Sequence, residues 1–464
     1  MNTPQTQPQV GYILRSYPRL SQTFILHEIL ALEQLGLALQ IFPITNPREP
    51  VAQAQVAEVR APVHYLERVT QRSRASIARE HLRTALESPR RYATTLRYLL
   101  RNKAIDTAYT ASSRFECFHQ AIYLARQLRR PDNTIGHLHA HFAHDPALIA
   151  LLTHMLIGIS FSFTAHARDL FQIPRQSLIE RIAAASAVIT CCGANLTYFD
   201  EVVPPALRAK VRLIHHGVNL EGFQPGPHPL SPSPMPGRGG NPTPLTPIWG
   251  KGLGDGGAPL ILSVGRLVAK KGFPDLLRAC ALLKQSGQRF RCAIYGDGPM
   301  RAELAALIDE LGLAGDVALP GERSQRELIP IFQQADIFAL TPFVTNDGDR
   351  DGIPNVLVEA MACGLPAVST AVSGIPELIQ HEYNGLLAQP RDIPQLAAQL
   401  GRLLGDAQQR KQFGAAARQT VVEHFDLHAA AQQIAELFQQ AIADNWRSTS
   451  LMPSQLQHSK IEHG

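Results

Sequence analysis

Short apolar runs alternate with longer amphipathic segments along most of the chain. Val10–Leu14 predicts a strand, Thr23–Leu35 a helix that ends at Gly36, and Leu39–Ile44 a second strand. Ser160–Thr164 and Ala187–Cys191 read as further strands, and Val211–Ile214 leads into the loop His215–His216–Gly217–Val218. A second series opens at Leu260–Val264. It continues with helix Phe273–Gln285, strand Arg291–Tyr295, helix Met300–Leu311, strand Val317–Leu319 and helix Ser324–Gln334. Strand Ile337–Leu340, helix Pro354–Ala362 and strand Ala367–Ser369 complete it. Strands alternating with helices of this length predict an α/β protein with parallel sheets wrapped by helices. Two such domains in tandem place a ligand cleft between the carboxyl ends of two sheets.

Between the two series the periodicity stops. The run from Pro225 to Gly257 is dense in Pro and Gly and has no periodic apolar residues with which to build a core. The organisation expected is therefore a Rossmann-like domain over 1–224, a disordered insert over 225–258, and a second Rossmann-like domain over 259–426. A helix over 427–446 packs back on the first domain, and a disordered tail spans 447–464. A total of 464 residues agrees with this division, since single cores stop growing at ~250–300 residues.

Composition narrows the function. With 45% hydrophobic and 18% charged residues the chain is a folded globular protein, and a formal charge of +5 is too mild for a nucleic-acid footprint. The six cysteines have no metal-ligand spacing and suit a reducing cytoplasm. The N-terminus lacks a basic region followed by an apolar core, and nothing reaches the roughly 18 apolar residues of a spanning helix.

The densest chemistry lies in Asp351–Gly352–Ile353–Pro354–Asn355–Val356–Leu357–Val358–Glu359. Gly352 lets the backbone approach a ligand, and Pro354 in the first turn of a helix leaves donors free to face an anion. Glu359, about two turns along, can reach the same ligand from one side of the helix. Two acids eight residues apart, bracketing a helix start, suit a ligand with both hydroxyls and phosphates. Asp347–Gly348–Asp349–Arg350–Asp351–Gly352 imitates the opening of a calcium loop, but its twelfth position is Val358 and Pro354 spoils the geometry.

This stretch resembles the acid-x7-acid signature of GT-B retaining glycosyltransferases, specifically family 4. Supporting motifs follow in the family's order. Ser263–Val264–Gly265–Arg266 with Lys271–Gly272 is similar to the pair of cations that holds the donor diphosphate. Gly296–Asp297–Gly298–Pro299, Ala362–Cys363–Gly364–Leu365–Pro366 and Asn384–Gly385–Leu386–Leu387 resemble later family turns. One departure is the first acid, commonly Glu and here Asp351, one methylene shorter. The resemblance implies that Asp351 contacts the transferred sugar, that Glu359 binds the ribose hydroxyls, and that Gly265, Gly296, Gly298, Gly352, Ile353, Pro354 and Asn355 line the donor.

The first domain carries Tyr17–Pro18–Arg19–Leu20–Ser21–Gln22–Thr23–Phe24, readable as a capping turn with Ser21 at the helix start. It is similar to the N-terminal loop of bacterial exopolysaccharide and colanic-acid-type transferases, which would place Ser21, Gln22 and Thr23 at the donor. His139–Ala140–His141–Phe142–Ala143 and Phe163–Thr164–Ala165–His166–Ala167–Arg168–Asp169 extend the likeness. His166 matches the family histidine beside the donor sugar and joins Arg266, Lys271 and Asp351 as a catalytic candidate. His137, His139 and His141 alternate on one face of a strand, read as a polar edge near the cleft. A metal there is not expected, because no acid or cysteine completes a tetrahedral set with them or with His144.

Residues 67–103 hold ten Arg or Lys against three Glu, a net of +7, with leucines as apolar anchors. They read as a solvated helical face or as a peripheral contact with anionic membrane. The resemblance implies a hexosyltransferase using a UDP- or GDP-sugar with a glycan or lipid-linked saccharide acceptor, retention of configuration, no metal and no cofactor. It implies work in exopolysaccharide synthesis, in the cytoplasm or peripherally on the inner face of the plasma membrane. The rivals are a GT-B nucleotide-sugar epimerase, an α-glucan phosphorylase, for which no pyridoxal lysine is found, and a non-catalytic sugar-nucleotide-binding protein.

Overall fold

The computed structural model describes residues 9–19, 22–48, 53–103, 112–226 and 257–450. Ser21, the tail beyond 450 and all of the Pro/Gly-rich run except its few end residues lie outside the described residues. Within them the chain forms two six-stranded sheets, parallel throughout. The first comprises β1 (Gln9–Ser16), β2 (Leu39–Thr45), β3 (Ile135–His141), β4 (Ser160–Ala165), β5 (Ala187–Thr190) and β6 (Val211–Leu213), in the order β2-β1-β3-β4-β5-β6. The second comprises β7 (Leu260–Val264), β8 (Arg291–Tyr295), β9 (Val317–Gly321), β10 (Ile337–Leu340), β11 (Ala367–Thr370) and β12 (Gly385–Ala388), in the order β12-β11-β10-β7-β8-β9. Strand order reverses between β1 and β3 in one sheet and between β7 and β10 in the other. At such a reversal adjacent connections leave in opposite directions and open a crevice at the carboxyl edge.

The central strands of the first sheet bury both faces, while the edge strand β6 exposes Arg212. Val10, Tyr12 and Leu14 of β1 pack with the helix Thr23–Gln34 and with Ala431, Ile434, Ala435 and Phe438 of the last helix, Leu427–Ser450. Ile13 points the other way, into a cluster with Phe118, Leu148 and Phe163. A single cluster fills the second domain and includes Val218 and Phe223, which precede β7 by some forty residues. The chain therefore crosses between domains twice. At the crossings Val218 N donates to Phe425 O at 2.9 Å and Leu427 N to Val218 O at 3.2 Å.

One expectation needs correction. His137, His139 and His141 do share a face of β3, but it is no polar edge, because all three are fully buried. Ser160, Ser162 and Thr164 of the neighbouring β4 alternate in the same phase and supply partners for His137 and His139, while His141 bonds to Glu28 and His166. Ser160 Oγ meets His137 Nδ1 at 2.9 Å, and Ser162 Oγ meets His137 Nε2 and His139 Nδ1 at 2.8 Å each. Thr164 Oγ1 meets His139 Nε2 at 3.0 Å. The buried imidazoles of His137 and His139 are thus satisfied along a hydroxyl ladder, which offsets the cost of burying them. Phe438 covers the ladder, with its ring 5.5 Å from His137 and 5.0 Å from His139.

Candidate functional site

The second domain supplies one wall at the β7/β10 reversal. Gly265 follows β7, and its N–H donates to Tyr295 O of β8 at 2.9 Å. Gly296 sits at φ +144°, and a Cβ there would lie 1.9 Å from Gly265 O, so only glycine keeps the two loops in contact. Arg266 projects from this seat, exposed and without an ion pair among the described residues. Its loop neighbours are engaged. Lys271 Nζ lies 2.7 Å from Asp351 Oδ2, while Lys270 Nζ lies 3.2 Å from Asp351 Oδ1 and 3.1 Å from Asp349 Oδ1. Burial would raise the Asp351 carboxyl, but the two lysines hold it below the usual carboxylate range. Lys270 was not singled out from the sequence. The adjacent lysines Lys270 and Lys271 are the signal that could have pointed to it.

Helix Asn355–Ala362 begins one residue later than expected, with Pro354 as its N-cap. Proline has no N–H, so the anion-facing donors are those of Asn355 and Val356, not of Pro354. Glu359 is the helix's fifth residue, little more than one turn in rather than two. It is 5% exposed, and burial pushes its carboxyl up to about 7. Its Oε1 accepts from Gln325 Nε2 at 2.7 Å. Gln325 opens the helix Gln325–Gln334, and its own N–H donates to Gln53 Oε1 of the first domain at 3.3 Å.

The first domain supplies the opposite wall. Helix Thr23–Gln34 is capped at Gln22 with no side-chain cap hydrogen bond. His166 follows β4. Its N–H donates to both Asp169 carboxylate oxygens at 3.1 and 3.2 Å, and its carbonyl accepts from Asn195 Nδ2 at 2.9 Å. Burial pushes Asp169 up to about 6. Phe142 and Phe24 flank the imidazole at 4.6 and 5.1 Å between ring centres.

The walls meet through several contacts. Gly352 lies against the Cys191 and Cys192 thiols, where a Cβ would stand 3.7 and 3.3 Å from sulfur. The Arg350 guanidinium lies 4.2 Å from the centre of the Phe171 ring, and Arg168 Nη1 reaches Asp349 Oδ2 at 3.6 Å. Glu377 extends from the second domain to the start of helix Gly193–Val202, where its carboxylate accepts from Gly193 N at 2.6 Å and Ala194 N at 2.9 Å. His215 Nε2 stands 3.3 Å from the same carboxylate.

Among the described residues two groups come within reach of a common metal ion: Glu28 with His139 and His141, and Cys191 with His166 and His216. An acid and a cysteine thus do approach these histidines, which sequence spacing could not show. In the first group Glu28 and His141 are already hydrogen-bonded to each other at 2.8 Å. In the second, Cys192 and burial push the Cys191 thiol up, away from the thiolate a metal needs.

With this geometry in view, residues 250–420 match the family model described as "Glycosyl transferases group 1". The chain carries a glycosyltransferase group 1 domain. The domain spans the second sheet and holds Arg266, Lys270, Lys271, Asp351 and Glu359. The amylovoran biosynthesis glycosyltransferase AmsK of Erwinia amylovora is 43% identical over 179 residues, 39% of this chain and 44% of that protein. A GDP-mannose-dependent alpha-(1-6)-phosphatidylinositol monomannoside mannosyltransferase of Mycobacterium tuberculosis is 26% identical over 264 residues, 56% of this chain and 64% of that protein. The chain thus spans about half the length of the curated relatives it matches. A solved structure of Anabaena HepE in complex with UDP superposes with a TM-score of 0.67 over 93% of this chain and 100% of that one, at 16% identity. The group 1 domain therefore sits in a GT-B fold, with two Rossmann-like sheets facing across a cleft.

Proposed function

We propose that the chain is a retaining family 4 hexosyltransferase. It moves a sugar from a UDP- or GDP-sugar to a glycan or lipid-linked saccharide in exopolysaccharide synthesis, without a metal. The observation that carries this reading is the cationic loop after β7. There Arg266 stands without an ion pair among the described residues, Lys271 lies against Gly265 and pairs with Asp351, and helix Asn355–Ala362 starts four residues after Asp351. A nucleotide diphosphate leaves with growing negative charge, which a planar guanidinium, a lysine and a helix start stabilise together. The bond from the sugar's anomeric carbon to the β-phosphate oxygen breaks. The acceptor hydroxyl attacks from the same face, and its proton passes to the departing phosphate. In this reading Glu359 accepts the ribose hydroxyls, while Asp351 keeps Lys271 in place and contacts the sugar. The Asp347–Gly348–Asp349 motif is a poor metal ligand in the same reading, because Lys270 and Arg168 already engage Asp349.

The names of similar proteins support the reading. HepE was solved with UDP and with UDP-glucose, and the mycobacterial relative is named for a GDP-mannose donor and a phosphatidylinositol-linked acceptor. AmsK is named for amylovoran biosynthesis. The peripheral membrane contact falls on helices Arg74–Glu87 and Pro89–Arg101. Arg72 and Arg83 pair with Glu80 and Glu87, whereas Arg90, Arg91, Arg97 and Arg101 form no ion pair among the described residues. Leu82, Leu86 and Leu100 are exposed beside them. No helix of the described residues is long and apolar enough to cross a membrane. The deciding experiment is a panel of nucleotide-sugars assayed for nucleotide diphosphate release with and without saccharide acceptors, followed by NMR of the new anomeric centre. Acceptor-dependent release with retention is expected. Acceptor-independent release makes the protein an epimerase, and binding without release makes it a non-catalytic binder.

A further inference from the structure

Four buried or half-buried groups meet behind the cleft, brought there by four different connections of the first sheet. Glu28 comes from helix Thr23–Gln34, His141 ends β3, His166 follows β4, and His216 follows β6. They form a line. Glu28 Oε1 lies 2.8 Å from His141 Nε2 and accepts from Tyr12 Oη at 2.9 Å. His141 Nδ1 lies 3.4 Å from His166 Nε2, and His166 Nδ1 lies 3.2 Å from His216 Nε2. The three rings are stacked, His141 on His166 at 21° between planes and His166 on His216 at 20°.

We propose that Glu28 is a positioning residue that fixes the tautomer and orientation of His166 through His141. This rests on the proposed reading that His166 lies beside the donor sugar. An ionised carboxylate only accepts, so His141 Nε2 must carry its ring's proton. A neutral imidazole has one N–H, which leaves His141 Nδ1 bare and able to accept from His166 Nε2–H. His166 Nδ1 is then bare in turn and accepts from His216 Nε2–H. One acid thus sets three rings in a single orientation, as a hydrogen bond to one ring nitrogen fixes the role of the other. Burial would raise the Glu28 carboxyl, but His141 beside it holds it low, and burial lowers His166 and His216, the latter to about 4. These directions agree with an ionised Glu28 and with neutral His166 and His216.

The consequence for transfer is specific. His166 has neither a free N–H nor a free lone pair, since its Nε2–H is given to His141 and its Nδ1 takes the His216 Nε2–H, so it meets the donor as a ring locked in one orientation. Loss of the tautomer breaks one of these two bonds and lets the ring turn beside the sugar.

The test combines spectroscopy with kinetics on the full chain. Long-range proton–nitrogen spectra of protein labelled with 15N-histidine at pH 8, with the His166→Gln variant used for assignment, should show His166 as a single Nε2–H tautomer. Glu28→Gln keeps an acceptor oxygen for His141 and should keep that signature. Glu28→Leu should give mixed His166 tautomers and lower kcat about ten-fold or more with little change in donor KM, as misorientation of a positioned group does. His141→Gln interrupts the same line without removing the carboxylate and serves if Glu28→Leu does not fold. Tyr12→Phe removes the other donor to Glu28 and should leave the His166 tautomer unchanged. Mixed His166 tautomers in the wild type overturn the proposal. So does a single tautomer surviving in both Glu28→Leu and His141→Gln, or a stoichiometric metal found on Glu28 and His141. If the spectra follow the proposal but no nucleotide-sugar is turned over, the transferase reading fails and the relay stands.

Discussion

Gln325 joins the two halves of the cleft to Glu359. Its side-chain amide donates to the Glu359 carboxylate at 2.7 Å, while its backbone N–H donates to Gln53 Oε1 across the domain boundary at 3.3 Å. Glu359 is buried and forms no ion pair among the described residues, and burial pushes its carboxyl up to about 7. The folded-state value lies above the unfolded one, near 4.3. Between those values the folded protein binds more protons than the unfolded chain, so this group costs stability as pH rises from about 4 through about 7.

Glu359→Gln should therefore raise the melting temperature at pH 8 and change it little at pH 4, corresponding to roughly 1–3 kcal/mol at the higher pH. The same substitution should weaken nucleotide-sugar binding, since a neutral amide accepts two ribose hydroxyls less strongly than a carboxylate. Donor affinity of the wild type should likewise fall as pH drops below about 7. Calorimetry for binding and scanning calorimetry for stability separate the two effects. Unchanged donor affinity in the variant removes Glu359 from the donor site.

Arg266→Ala and Lys271→Ala should each lower turnover by ~10²–10³-fold, the usual cost of losing one preorganised electrostatic donor. EDTA should leave the wild type largely active. Asp349→Ala should act mainly by releasing Lys270, whose Nζ then has Asp351 as its remaining carboxylate partner. Complete loss on chelation, restored by manganese and mirrored by dead Asp347→Ala and Asp349→Ala variants, replaces the cationic mechanism with a metal one.

Phe438→Ala should destabilise the first domain by about 3–5 kcal/mol, the range for truncating a fully buried aromatic. It also uncovers His137 and His139. Urea unfolding followed on the two domains separately checks this, and a loss under 1 kcal/mol means the last helix is a weak cover.

Anionic vesicles should sediment the protein and neutral ones should not, with binding lost at high salt. Replacing Arg90, Arg91, Arg97 and Arg101 by Gln should abolish the difference, since each basic residue near such a surface contributes ~1 kcal/mol. Equal sedimentation with both vesicle types leaves residues 67–103 as a solvated face.

Most strands of the second domain were legible because their periodicity is local, although β12 was not among those predicted. β7, β8 and β10 run where the apolar segments predicted, and Lys271, Asp351 and Glu359 come from two short stretches of sequence. What sequence could not show depends on partners far along the chain. The alternating histidines of β3 look like a wet face until β4 is placed beside them, with Ser160, Ser162 and Thr164 in phase. The alternation in both strands was readable; their adjacency was not. Glu377 bonds to Gly193 and Ala194 nearly two hundred residues earlier, and Glu28 to His141 over a hundred residues later. Neither leaves a trace in local periodicity.

The double crossing between domains bears on how the cleft can work. A single tether would let the second domain swivel about its own long axis. Val218 and Leu427 instead lie side by side, hydrogen-bonded, and a Cβ on Gly217 would stand 2.3 Å from the Leu427 backbone. Two chains clasped at one spot resist torsion and leave bending about the line that joins them as the soft coordinate. Opening should then behave like a door on one pair of pins. Contacts between the two walls, such as Arg350 on Phe171, would then be the ones that opening breaks and closing restores.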